Sequence, residues 1–174
     1  MKKIIVQTNC KRLLADIYTP VGIYLRVRDR FRDTVLLEST DHHVAENSYS
    51  FICINAIAGI EVSSSKSIEF KLPNEKPEKL ALENVADAPR ELWNFMQNFQ
   101  IEPATEKEAK FAQGLYGYTS FDAVQFFDTL HFNAEKQAAP VIPLMRYRLY
   151  QYVIAFNHFK DELFICENTI VGID

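Results

Sequence analysis

A carboxylate, Glu38, closes the apolar run Val35-Leu36-Leu37, and a hydroxyl follows it at Ser39. Taken alone, a charge at that point reads as the end of a strand facing solvent, because a buried unpaired carboxylate is costly. His42 and His43 are the next candidates for chemistry, with Asp41 and Glu46 close by. Adjacent residues on an extended chain point to opposite faces, so the two imidazoles are poorly placed to hold one ion, and no metal is expected. His131 and His158 stand alone, without a nearby Cys or Asp pattern, and read as structural or exposed. No nucleophile elbow, zinc-protease helix, Walker loop or dinucleotide fingerprint occurs. Gly114-Leu115-Tyr116-Gly117 lacks the lysine of a phosphate loop, and its glycines read as allowing close backbone approach in a strand. No catalytic residue is therefore assigned.

The elements that must position these residues read as one domain. A chain of 174 residues, 48% hydrophobic and 24% charged, can bury a core without staples. The net charge of −4 and the lack of a concentrated basic face argue against nucleic-acid binding. Arg26, Arg28, Arg30 and Arg32 alternate with Val27, Asp29, Phe31 and Asp33, a pattern read as the solvated face of a strand. Cys10, Cys53 and Cys166 are odd in number and far apart, so no disulfide framework is expected. Cys53 and Cys166 read as small core residues, and a reducing cytoplasm is the expected compartment. The apolar stretch after Met1-Lys2-Lys3 is too short for a signal peptide, and no run approaches a membrane span.

Leu13, Leu14 and Ile17 predict a helix over 9–18, capped at Thr8 or Asn9 and ended by Thr19-Pro20. Alternation then predicts a strand over 23–28 and a second strand from Val35, ending in the polar loop 40–48. Phe51 to Ile54 is apolar on both faces and reads as a central strand. Ile60/Val62 and Ile68/Phe70 form a hairpin around Ser63 to Lys66, and 72–86 is a loop. A helix over 88–99 follows, capped by Asp87, with a Leu92, Phe95, Met96, Phe99 stripe and Trp93 packed against the sheet. Residues 102–110 form a short helix or loop, 114–119 a strand, and a short helix starts at Phe121. After a long connection over 131–143, a hairpin of 146–157 and 162–167 turns at Lys160-Asp161. Strands joined by short turns pair antiparallel, so the expected class is α+β, mainly antiparallel sheet with a few packed helices.

Leu36-Leu37-Glu38-Ser39, then the run from Gly114 to Val124, then Tyr152 to Lys160, together resemble the N-terminal region of anthranilate synthase component I. The resemblance runs from about Pro20 to Glu167. It implies the N-terminal part of that fold, residues 1–174 forming the region before a larger catalytic half. That half would carry the magnesium-dependent conversion of chorismate to anthranilate, with ammonia from a glutamine amidotransferase subunit. No chorismate or magnesium residue of the family maps onto this chain, and the chain alone is expected to be inactive.

What does map is the allosteric pocket for L-tryptophan. The resemblance places Leu37, Glu38 and Ser39 in its wall, Tyr49 and Ser50 as its second part, and Pro20 nearby. Ser48 and Cys53 stand where many relatives have Arg and Gly. An amino-acid zwitterion needs an acid for its ammonium, donors for its carboxylate and an apolar slot for its side chain, which suits these residue types. The rest of the wall comes, in the family, from the catalytic half. A fragment without it is expected to bind tryptophan weakly or not at all and to self-associate through the apolar face of 51–54 and 145–156. Two other readings are the corresponding region of an aminodeoxychorismate synthase subunit of folate synthesis, and a free-standing ligand-binding module.

Overall fold

The computed structural model describes residues 3–38, 48–64, 66–128 and 142–172. Its elements are mostly strands: β1 (Ile4–Leu14), β2 (Val35–Glu38), β3 (Tyr49–Ser64), β4 (Ser67–Lys71), β5 (Glu78–Ala81), β6 (Phe99–Ile101), β7 (Tyr116–Thr119), β8 (Met145–Asn157) and β9 (Glu162–Val171). Two α-helices join them, α1 (Pro20–Val27) and α2 (Ala88–Met96), with short 3-10 turns at Val85–Asp87, Lys107–Phe111 and Phe121–Phe126. β1–β9, β2–β3, β3–β4, β4–β5, β7–β8 and β8–β9 pair antiparallel, an α+β arrangement as expected. The chain divides into two compact units, and β3 and β8 each contribute one part to either.

The first unit is built mainly from Ile57–Gln100 and Leu115–Leu149. Its β3–β4 hairpin pairs Ile60 with Phe70 and Val62 with Ile68, the alternating positions that predicted it. Those odd-even partners bury Ile60, Val62 and Ile68 on one face, where apolar area removed from water stabilises the sheet. Residues 78–81, expected as loop, form β5 along the edge of β4, with Leu80 opposite Ile68. The alternation there is too short and too charged to read, and the pairing with β4 supplies what local propensity lacks. β7 lies on β8 with Gly117 opposite Tyr147, and a Cβ at Gly117 would run into the Arg146 carbonyl. The glycine is thus needed for close approach, as its sequence context indicated. Glu61 anchors the same sheet, accepting from Arg146 Nε at 2.8 Å and Arg148 Nη2 at 2.9 Å.

α2 ends at Met96 rather than 99, and Phe99 enters β6. Phe95 is buried, but Trp93, expected against the sheet, is 60% exposed. Trp93 lies off the apolar stripe, and the helix turns that side to water. Asp87 makes no side-chain cap bond to α2, and its Oδ2 accepts instead from Asn84 N at 3.1 Å.

The second unit comprises Ile5–Ala56, Ile101–Gly114 and Tyr150–Asp174. Two sequence expectations are reversed here. Residues 9–18 were expected as a helix, yet Ile5 to Leu14 pair residue by residue with Val171 to Glu162 of β9. Leu13, Leu14 and Ile17 mimic a helical stripe, but all three are exposed, while Val6 and Thr8 alternate into the core. Long-range ladder bonds outweigh that local pattern. Residues 23–28 were expected as a strand, yet they fall largely in α1. Thr19 does not end a helix but starts one: its Oγ1 accepts from Gly22 N at 3.0 Å, and Pro20 occupies the first turn. Ile23, Tyr24 and Val27, spaced for a helix face, pack on Ile52, Ile54, Ile154 and Phe156. The arginines Arg26, Arg28, Arg30 and Arg32 are solvent-exposed, but on the end of α1 and the following turn, with Arg28 beside Asp29 at 3.6 Å.

The cysteine expectation is also corrected. β1 and β9 bring Cys10 directly opposite Cys166, and the two form a disulfide across a sequence separation of 156. Spacing along the chain carries no sign of this, because the register of two distant strands creates it. Buried Asn168, two residues further along β9, accepts from Thr8 Oγ1 and donates to the carbonyls of Ala112 and Tyr150. Every polar end of that amide is therefore satisfied, which is what lets it sit in a core.

Candidate functional site

Four of the sequence-derived site residues come together where β2 lies on β3. Glu38 is opposite Ser50 and Leu37 is opposite Phe51, with Tyr49 opening β3. The apolar alternation of Val35 to Leu37 forms β2, and Phe51 to Ile54 supplies a partner apolar on both faces, so this short strand has somewhere to bury its side chains.

Alternation divides the four between two faces. On one face, Leu37 and Phe51 share their side with Tyr49. The Tyr49 ring lies 4.9 Å from Phe111 and 6.1 Å from Phe51, and Phe111 lies 6.4 Å from Phe164, making an aromatic group. On the other face, Leu36 and Ile52 join the cluster beneath α1, and Glu38 and Ser50 continue that row to its end. Glu38 is exposed, the strand-end position its sequence context predicted. Pro20 is buried at the first turn of α1, the helix whose Ile23, Tyr24 and Val27 cover this face. Ser39 lies outside the described residues, as do His42, His43 and His131.

Two residues that the sequence reading did not assign to the site hold its edges. Ser50 is 1% exposed, and its Oγ lies 2.7 Å from His158 Nε2. The His158 backbone N–H also donates to the Ser48 carbonyl at 3.1 Å. Asn157 donates from Nδ2 to the Tyr49 hydroxyl at 2.9 Å, while its Oδ1 accepts from the N–H groups of Phe159 and Lys160. That is an Asx turn, and an Asn before the expected turn at Lys160-Asp161 was the readable sign of it. Asp161 completes the turn with φ of 51°, a conformation Asp tolerates. His158 itself is exposed, as its isolation in the sequence indicated.

Further along β3, burial pushes the Cys53 thiol up to about 12, so it stays neutral near pH 7 and is neither a nucleophile nor a ready metal ligand. Among the described residues, no group of three or more His, Cys, Asp or Glu could hold a metal ion. None of their helices is long and apolar enough to cross a membrane. A cavity of about 250 Å³ in the first unit, lined by Ile60, Phe70, Leu80, Glu91, Asn94 and Phe95 among others, contains none of the site residues. The β2–β3 end thus sets an exposed carboxylate and a buried hydroxyl bonded to an imidazole on one face and an aromatic group on the other.

No family model matches the chain. Over 163 residues, 91% of its length, it is 26% identical to anthranilate synthase component 1 of Lactococcus lactis subsp. lactis (strain IL1403). Over 157 residues, 89% of its length, it is 24% identical to anthranilate synthase component 1 of Acinetobacter calcoaceticus. The chain spans about a third of each of these relatives, 32% and 31% respectively. The resemblance carried by Leu36 to Ser39 and Gly114 to Val124 thus extends across most of this chain to proteins of that name.

Proposed function

We propose that this chain is the front, effector-sensing region of an anthranilate synthase component I, with part of its feedback site for L-tryptophan at the β2–β3 end. The observation that carries this reading is the register that sets Leu37 and Glu38 against Phe51 and Ser50, beside Tyr49. The similarity over nine tenths of the chain supports the family from which the site is drawn. In this reading Glu38 takes the ligand ammonium, a charge-assisted contact. Chorismate chemistry, its magnesium and the contact with a glutamine amidotransferase subunit belong to the further length the relatives possess. The described residues here contain no metal-binding group that would fit magnesium, and no step is assigned to them.

The test is inhibition of the full-length synthase. Losing a charge-assisted bond costs about 1.5–3 kcal/mol, roughly ten- to a hundredfold in affinity. Glu38→Ala and Ser39→Ala are expected to shift the tryptophan inhibition curve by that factor and leave uninhibited turnover near wild type. Unchanged inhibition in both variants rejects the site.

A further inference from the structure

Ser50 is too deeply buried to meet a ligand itself, yet its hydroxyl reaches the ring of an exposed histidine. A hydroxyl carries one proton, and a buried O–H without an acceptor is unfavourable. The hydrogen-bond partner of Ser50 Oγ is His158 Nε2, at 2.7 Å. If Ser50 donates there, a neutral imidazole must carry its proton on Nδ1, because only one ring nitrogen is protonated. Ser50 thereby fixes the tautomer and leaves the Nδ1–H as the free donor of an exposed ring.

The ring's position is fixed as well. The His158 N–H is bonded to the Ser48 carbonyl, and the turn that follows is closed on Asn157, which also holds Tyr49. In the direction across the strands, Glu38 of β2 stands opposite Ser50 of β3, and Ser50 bonds to His158 at the end of β8. An acceptor-only carboxylate and a donor imidazole thus flank one buried hydroxyl. One acceptor and one donor are what the ammonium and the carboxylate of an α-amino acid require.

We infer that His158 receives the α-carboxylate of the amino-acid effector through Nδ1–H, with Ser50 as the positioning residue that fixes its tautomer, while Glu38 receives the ammonium. This rests on the reading of the β2–β3 end as an amino-acid site. Ser50 then acts on the ligand only through the ring, although the resemblance places Ser50 itself in the pocket.

Ligands that each lack one charge separate the roles. L-tryptophan, tryptamine and indole-3-propionate are titrated into the full-length protein by calorimetry. The variants are Glu38→Ala, His158→Gln and His158→Asn, each first shown to melt like wild type. His158→Gln keeps an amide near the Nε2 position but no outward donor, and it is expected to weaken tryptophan and indole-3-propionate roughly tenfold or more while sparing tryptamine. His158→Asn restores an amide donor near Nδ1 and is expected to recover much of that loss. Glu38→Ala is expected to do the converse, weakening tryptophan and tryptamine. If Glu38→Ala weakens tryptophan but His158→Gln does not, or weakens all three ligands alike, the inference falls and the site stands. If wild type binds no tryptophan, the site falls and the inference with it.

Discussion

Glu38, the last residue of β2, stands directly opposite Ser50 on β3, so the two share one face of the sheet although eleven residues separate them in sequence. Leu37, Glu38's neighbour, shares the other face with Phe51 and Tyr49. The charged and apolar parts of the proposed tryptophan site are thus set by strand alternation rather than by a single loop. A one-residue slip of β2 would exchange them, so the proposed site depends on the register.

The disulfide between Cys10 and Cys166 gives the first prediction. It closes a loop of 156 residues between β1 and β9. Cross-links of native chains typically contribute about 2–4 kcal/mol, mainly by restricting the unfolded state. A reductant is expected to lower the melting temperature of the wild-type chain but not that of Cys10→Ser. Equal melting of wild type with and without reductant would show that the cross-link adds nothing.

Glycine positions give the second. At Gly117 a Cβ meets the Arg146 backbone, whereas at Gly114 nothing lies within 4 Å. Gly117→Ala is expected to destabilise by about 1–3 kcal/mol, since β7 must move away from β8. Gly114→Ala is expected to be nearly neutral. Denaturant titration of both variants checks the contrast, and a tolerated Gly117→Ala would contradict the β7–β8 approach.

The third concerns Cys53. Its thiol is pushed from 9.0 up to about 12 by burial. The folded group therefore keeps its proton where the unfolded one has lost it, so stability falls as pH rises from about 9 towards 12. Native protein is expected to resist thiol reagents at Cys53 at pH 8. The alkaline loss of stability is expected to be smaller in Cys53→Ala than in wild type. Rapid native-state labelling at Cys53 would contradict its burial.

Elements with strong two-residue alternation or terminal turns were legible in the sequence. β2, the β3–β4 hairpin, β7 and the β8–β9 hairpin all lie near their expected positions. The exchange of helix and strand between β1 and α1 was not legible. Thr19-Pro20 serves equally as a stop or as a cap and first turn, and β1 is decided by β9, some 150 residues away. Distance in sequence also hid the Cys10–Cys166 pair and the bond between Ser50 and His158. For the candidate site, Glu38 stood out as a charge ending an apolar run, and the family resemblance supplied Tyr49 and Ser50. Nothing local marked His158, whose partner comes from another strand.

Hydrogen exchange of the full-length protein with and without L-tryptophan tests the central claim most directly. Slower exchange is expected at the paired amides of Val35–Glu38 and of β3 from Tyr49 to Cys53 when tryptophan is present, with loss of that protection in Glu38→Ala. Protection confined to other segments, or equal protection in wild type and Glu38→Ala, would contradict the placement of the effector at the β2–β3 end.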